Sequence, residues 1–222
     1  MEVSAFEIGV SYRLRASDAE YLAMKMHELL REMGTSELDT IYFSEVVGSV
    51  GNASVALYLS RSNVGVLVVA SACDDEGKCL IGPVREIASV SRKILKRLGG
   101  LIELLKVDYV VKAKLTLVPA QRNLVKYLKM GGVEISDGGS YDAGWYTVKM
   151  YKGKYIVSMK KLDVVITLVQ EKTGGLASAQ LTVSRSQQGV SEPAEEEFVD
   201  CLKAASQIIA YLLAKEDRVT YS

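Results

Sequence analysis

FEIGVSYRLR, residues 6–15, sets Phe6, Ile8, Val10, Tyr12 and Leu14 at every second position, with small or polar residues between most of them. Successive side chains on a strand point to opposite faces, so this spacing predicts a β-strand with one buried face. The same rhythm returns in YVVKAKLTLV, residues 109–118. There Tyr109, Val111, Ala113, Leu115 and Leu117 alternate with Val110, Lys112, Lys114 and Thr116.

Each of these strands leads into a helix. Ser17-Asp18-Ala19-Glu20 has the form of a capping box, in which the Ser17 hydroxyl and the Glu20 carboxylate satisfy free amides at a helix start. That helix runs to Met33 and stops at Gly34. Strands are expected at 41–47, 53–60 and 64–71, the last two joined by Arg61-Ser62-Asn63. Gly82-Pro83 opens a long helix to about residue 105, with Ile87, Val90, Ile94, Leu98, Leu101 and Leu105 on its apolar face. In the later half, Pro119 opens a helix that Gly131-Gly132 ends. Strands follow at 143–151, 154–160, 162–171 and 176–185, the last after a Thr173-Gly174-Gly175 turn. A final helix spans about 194–215, behind Ser191-Glu192-Pro193, and its leading acids Glu195 to Glu197 suit the positive helix start.

The order reads twice as strand, helix, three or four antiparallel strands, long helix. This predicts an α+β fold built by internal duplication, with halves at 1–106 and 107–222 and helices packed on one face of antiparallel sheet. Such an order resembles the duplicated saddle of the TATA-binding protein family. The resemblance implies topology alone. Of the three phenylalanines, Phe6, Phe43 and Phe198, none forms the intercalating pairs of that family, so DNA kinking is not implied. A helix-grip arrangement, with a curved sheet around a long C-terminal helix, is the alternative architecture.

With 49% hydrophobic and 24% charged residues and a formal net charge of zero, the composition is that of a globular protein with a core. It excludes a generally basic protein that coats nucleic acid through its overall field, so any nucleic-acid site must be local. The apolar runs at 64–70 and 107–111 fall far short of the roughly 20 residues of a membrane helix. No basic, apolar leader opens the chain. A cytoplasmic protein with no membrane contact is the expectation. Cys73, Cys79 and Cys201 are an odd number in a chain with no export signal, which argues against a disulfide framework, although a Cys73–Cys79 bridge across the DDEGK loop stays open in a heat-adapted protein. Three asparagines and six glutamines match the usage of heat-adapted proteins.

No metal, cofactor or catalytic site is expected. His27 is the single histidine and lies within the first helix, and Cys73 and Cys79 lack paired CxxC spacing. No nucleophile setting of the GxSxG kind occurs. Gly48-Ser49-Val50-Gly51-Asn52 and Gly138-Gly139-Ser140 read as loops, because neither opens a helix that would surround a phosphate. Asp74, Asp75 and Glu76 read as a solvated turn.

One stretch is chemically distinctive. YDAGWYTVKMYKGKYIVSMKK, residues 141–161, holds the single tryptophan, four tyrosines and several lysines against one acid. With a turn at Lys152-Gly153-Lys154, Tyr146, Val148, Met150, Tyr155, Val157 and Met159 would face the core. Trp145, Lys149, Tyr151, Lys154, Ile156, Ser158 and Lys160 would then share the outer face, which Lys112 and Lys114 would extend. Aromatic faces that stack on bases beside lysines that neutralise phosphates predict a non-catalytic protein holding nucleic acid or a ribonucleoprotein such as the ribosome. Two alternatives stand beside it. One is a protein–protein module or homodimer on the same face, and the other a small-molecule carrier or enzyme with a pocket between sheet and helix. Arg92, Lys93, Lys96 and Arg97 form a separate basic surface that reads as a solvated helix face.

Overall fold

Val10, Tyr12 and Leu14 are buried while Arg13 and Arg15 are exposed, as the alternation of residues 6–15 requires. The computed structural model describes residues 2–16, 18–34, 38–41, 45–50, 53–59, 64–71, 82–117, 126, 128–129, 131–173, 177–190 and 194–219. The fold is α+β, and the pairs β2–β3, β3–β4, β4–β5, β5–β1, β10–β9, β9–β8 and β8–β7 are antiparallel. Strand β1 spans Glu2–Ala16, β2 Leu38–Ile41, β3 Glu45–Val50, β4 Ala53–Leu59 and β5 Val64–Ser71. β6 follows at Ile102–Leu117, β7 at Glu134–Ala143, β8 at Tyr146–Val157, β9 at Lys160–Glu171 and β10 at Ala177–Gln188. Helix α1 is Ala19–Glu32, α2 Gly82–Leu98 and α3 Glu195–Val219.

The chain divides into two compact units. One consists of Glu7–Val110 with Ser186–Phe198. Its strands run in the order β2-β3-β4-β5-β1, and α1 and α2 pack on that sheet and on each other. Leu22, Met26 and Leu30 of α1 and Ile87, Ile94 and Leu98 of α2 are fully buried there, as the 3.6-residue period of each helix predicts. The start of α3 adds Phe198, whose ring meets Tyr109 edge to face at 4.8 Å. The Tyr109 hydroxyl donates to Gln187 Oε1 at 3.1 Å and accepts from the Ala194 amide at 3.0 Å, and Gln187 Nε2 donates to Glu197 Oε1 at 3.0 Å. Tyr12 and Ser91 lie beside each other in the same interior without a well-formed hydrogen bond. Burial pushes the Tyr12 phenol well above its ordinary pKa.

The other unit comprises Met1–Phe6, Val111–Arg185 and Val199–Ser222. Here β10-β9-β8-β7 follow one another with β7 at the edge. Val164 and Ile166 of β9 pair with Val183 and Leu181 of β10, and together with Leu162 and Ala179 they are buried. The C-terminal part of α3 is tied to this sheet by Lys160 to Asp200 at 2.8 Å and by the Tyr155 hydroxyl donating to Gln207 Oε1 at 3.2 Å. A Cβ at Gly131 would meet the Tyr211 ring at 2.8 Å, so the turn before β7 approaches α3 closely enough to require glycine.

Several expectations are corrected. The cap of α1 is Asp18, whose carboxylate accepts from the Tyr21 amide at 3.0 Å; Ser17 lies outside the described residues. Helix α2 ends at Leu98 rather than near 105, because Gly99 and Gly100 close it, and Leu101 and Leu105 belong to the approach to β6 and to β6 itself. Gly138-Gly139-Ser140, expected as a loop, lie within edge strand β7. Gly138 and Gly139 sit in a bulge of that strand, where the Asp137 carboxylate accepts from the Gly139 amide at 2.8 Å. Residues 143–151 and 154–160 are not two strands: β8 is continuous through Lys152-Gly153-Lys154. Cys73, Cys79, the acidic loop 74–77, Pro119 and the turn at 61–63 lie outside the described residues. Among the described residues, no helix is long and apolar enough to cross a membrane.

Candidate functional site

Continuity of β8 decides the geometry of the basic aromatic stretch. The hairpin turns fall at Gly144-Trp145, between β7 and β8, and at Ser158-Met159, between β8 and β9. Trp145 and Lys154 therefore stand at opposite ends of one strand, nine residues or about 30 Å apart, rather than on neighbouring strands. Gly153 explains why no turn is needed there. A Cβ at that position would fall inside contact distance of the Glu134 carbonyl oxygen, so glycine serves a close approach of β7 to β8.

The unbroken β8–β9 register then sorts the side chains into two faces. Lys149 and Tyr151 stand opposite Leu168 and Ile166, on the face that α3 covers further along. Lys160 is on that face too, and its ammonium binds Asp200 of α3. Lys154 and Ile156 stand on the reverse face with Tyr146, Val148 and Met150. Lys112 and Lys114 are exposed on β6, opposite the buried Val111, Ala113 and Leu115. Of the residues expected to share one surface, Lys149, Tyr151 and Lys160 thus lie on one face of the β8–β9 ladder and Lys154 and Ile156 on the other. The expected core face fails for Tyr146 and Met159, which are 43% and 99% exposed.

Charge is distributed differently from expectation as well. Lys154 pairs with Asp163 across the β8–β9 ladder, Lys161 with Glu134 at 3.2 Å and Lys172 with Asp142 at 3.2 Å. Between β7 and β8, Glu134, Ser136, Lys152, Lys154 and Asp163 line an open depression of ≈ 480 Å³ whose charges are of both signs. Lys149 and Lys152 make no ion pair among the described residues.

Two exposed apolar groups remain, one at each end of β8. At the first, Gly144 takes φ +61 at the first central position of a two-residue turn, as primed hairpin turns require, and Trp145 occupies the second. Trp145 is 80% exposed. Tyr141 and Tyr146 flank it on one sheet face, on either side of the buried Val148. The Trp145 carbonyl accepts from the Lys172 amide at 3.0 Å, which anchors the turn to the end of β9. Tyr146 is exposed instead of inward as the alternation predicts, and the dipeptide Gly144-Trp145 is the sequence signal for a turn here.

At the second end, Ser158 and Met159 both have positive φ, 49° and 62°. Left-handed backbone costs a non-glycine residue roughly 1–2 kcal/mol, and neither residue is glycine. Asp200 holds the turn in place. Its carboxyl is buried, which opposes ionisation, but the Lys160 ammonium and the Ser158 hydroxyl outweigh burial and hold it below the usual carboxylate range.

Compared with known proteins, the chain matches no protein-family model and no curated protein sequence.

Proposed function

We propose that the protein is a non-catalytic binding protein and that the Gly144-Trp145 end of the β7–β8 hairpin holds a protein partner. The observation that carries this reading is Trp145, the single tryptophan, standing 80% exposed on a turn fixed by Gly144 and flanked by two exposed tyrosines. Tryptophan and tyrosine are the side chains that most often anchor protein interfaces, since they bury a large area with few rotatable bonds. Nucleic acid at this end is the less favoured reading, because stacked bases bring phosphates that need cations. Lys172 at this end is paired with Asp142, which leaves Lys149 as the nearby cation without an ion pair among the described residues.

The repeated element order, β1-α1-β2 to β5-α2 and then β6, β7 to β10, α3, supports a further reading of the chain as a duplicated unit.

Because Trp145 is the only tryptophan, its emission reports directly on the site. Partner binding or self-association should shift the emission to shorter wavelength as the indole leaves water, with little dependence on salt. Trp145→Phe with Tyr146→Ser should weaken capture of the partner by at least tenfold while thermal melting stays that of the natural protein. Undiminished capture by that variant would refute the reading.

A further inference from the structure

Helix α2 buries Ile87, Ala88, Val90, Ser91, Ile94 and Leu98, so its apolar side is fully used by the core of its unit. The side turned to solvent is cationic. Arg85, Arg92, Lys93, Lys96 and Arg97 are all exposed, with Ser89 among them and one half-buried acid, Glu86, on the same helix. In a chain of zero formal net charge, this concentrates positive charge on one surface.

The arrangement works against the stability of the helix. Arg92 and Lys96, and Lys93 and Arg97, are like charges four residues apart, neighbours on the helix surface that repel by a few tenths of a kcal/mol per pair. Lys96 and Arg97 in the last turn suit the negative helix end. Arg85 does not share that explanation, because it lies near the positive end of a helix whose first turn holds no acid. Two acids from packed elements approach this face. Glu32 of α1 is 3.6 Å from Arg97 and Glu195 of α3 is 3.9 Å from Arg92, all four groups being well exposed. Such pairs contribute little and exchange readily for another anion. Arg85, Lys93 and Lys96 make no ion pair among the described residues.

We infer that the exposed face of α2 binds the phosphate backbone of double-stranded nucleic acid without reading its sequence. Charge complementarity selects this occupant: five cations run along three turns of helix, and arginine forks and lysine ammonium groups are the donors that phosphates accept. An anionic membrane is the other polyanion to consider. Membrane-surface helices insert an apolar face beside their cations, whereas here that face is committed to the core.

The test uses the full chain and a fluorescent DNA duplex of mixed sequence, with anisotropy read over a series of salt concentrations. Each phosphate neutralised contributes about −0.9 to the slope of log affinity against log salt, so the natural protein should give a slope of about −3 to −4. Replacing Arg85, Lys93 and Lys96 by glutamine should flatten that slope by about 2.7, and should leave melting unchanged or raise it by relieving repulsion. Trp145→Phe with Tyr146→Ser should leave duplex binding intact, which separates this proposal from the partner site on the hairpin. The proposal is overturned if the natural protein fails to bind the duplex at low salt. It is equally overturned if the glutamine variant keeps the full slope, or if vesicles of anionic phospholipid bind α2 more tightly than the duplex does.

Discussion

Lys160 Nζ lies 2.8 Å from Asp200 Oδ2, so the first residue of β9 is bound directly to α3. The carboxylate side chain is 8% exposed and the lysine 26%, which makes this pair the most enclosed of the ion pairs described. Breaking it leaves an enclosed carboxylate without its ion-pair partner, a larger penalty than the pair itself contributes. Lys160→Met should therefore destabilise the protein by about 2–3 kcal/mol, measured by urea unfolding.

The pH dependence of the same pair follows from the lowered pKa of Asp200. A carboxyl whose pKa is lower in the folded than in the unfolded state contributes stability above the unfolded value, about 3.9, and loses it as pH falls through the folded value. Lys160→Met should weaken this behaviour. Burial stays while the Lys160 ammonium is lost, so the folded pKa rises and the variant should lose less stability than the natural protein as pH falls through the carboxylate range. Unfolding free energies across that range should have different slopes for the two proteins; parallel curves would contradict the assignment.

The Ser158-Met159 turn stores strain that glycine would remove. Asn and Gly are the residues that occupy a two-residue turn with both φ values positive at least cost. Met159→Gly should raise stability by roughly 1 kcal/mol, seen as a higher melting temperature, because Met159 is fully exposed and gives up no packing. Ser158→Gly should gain less, since it also removes a hydroxyl from Asp200.

Gly153 should tolerate no side chain. Gly153→Ala would drive a methyl group into the Glu134 carbonyl and separate β7 from β8. Hydrogen exchange should then accelerate in residues 134–143 while the amides of β9 and β10 remain protected, with global stability lower by about 1–3 kcal/mol.

Two buried hydroxyls should respond in opposite ways. Tyr109→Phe strips partners from the Ala194 amide and from Gln187, and should cost about 1–3 kcal/mol. Ser91→Ala removes a buried hydroxyl that has no well-formed bond, and should be neutral or slightly stabilising.

The legibility of the sequence varied with how local the determining physics is. Val10 to Leu14 of β1 and Tyr109 to Leu115 of β6 are legible residue by residue, because one face is buried and a period of two follows directly, whereas the first residues of β6 read as the end of helix α2. Helices α1 and α2 were likewise legible from their apolar stripes. β7 was not: Asp137-Gly138-Gly139-Ser140 has the composition of a turn, and only cross-strand pairing with a bulge makes it strand. Lys152-Gly153-Lys154 misled for the related reason that glycine at a close backbone approach looks in sequence like glycine at a turn. Dividing β8 there reverses the parity of its two halves relative to each other, which puts Lys149 and Lys154 on one face in the sequence reading although Val157 is buried as the alternation predicts; Met159 falls in the turn instead of the strand. The outward placement of Trp145 is legible in the sequence, whereas the exposure of Tyr141 and Tyr146 beside it depends on the β7–β8 register.

The division of the chain into interleaved units also fixes a timetable. Tyr109 finds its hydrogen-bond partners Gln187 and Ala194 only 78 and 85 positions later in the chain. At synthesis rates of about 5–20 residues per second, the unit containing Tyr109 waits about 4–17 s for residues it needs to close its interior. Throughout that interval the nascent chain carries buried-to-be tyrosines and unpaired strand edges in the open. The period between synthesis of Tyr109 and synthesis of Phe198 is therefore when this protein is most exposed to proteases and to association with other unfinished chains.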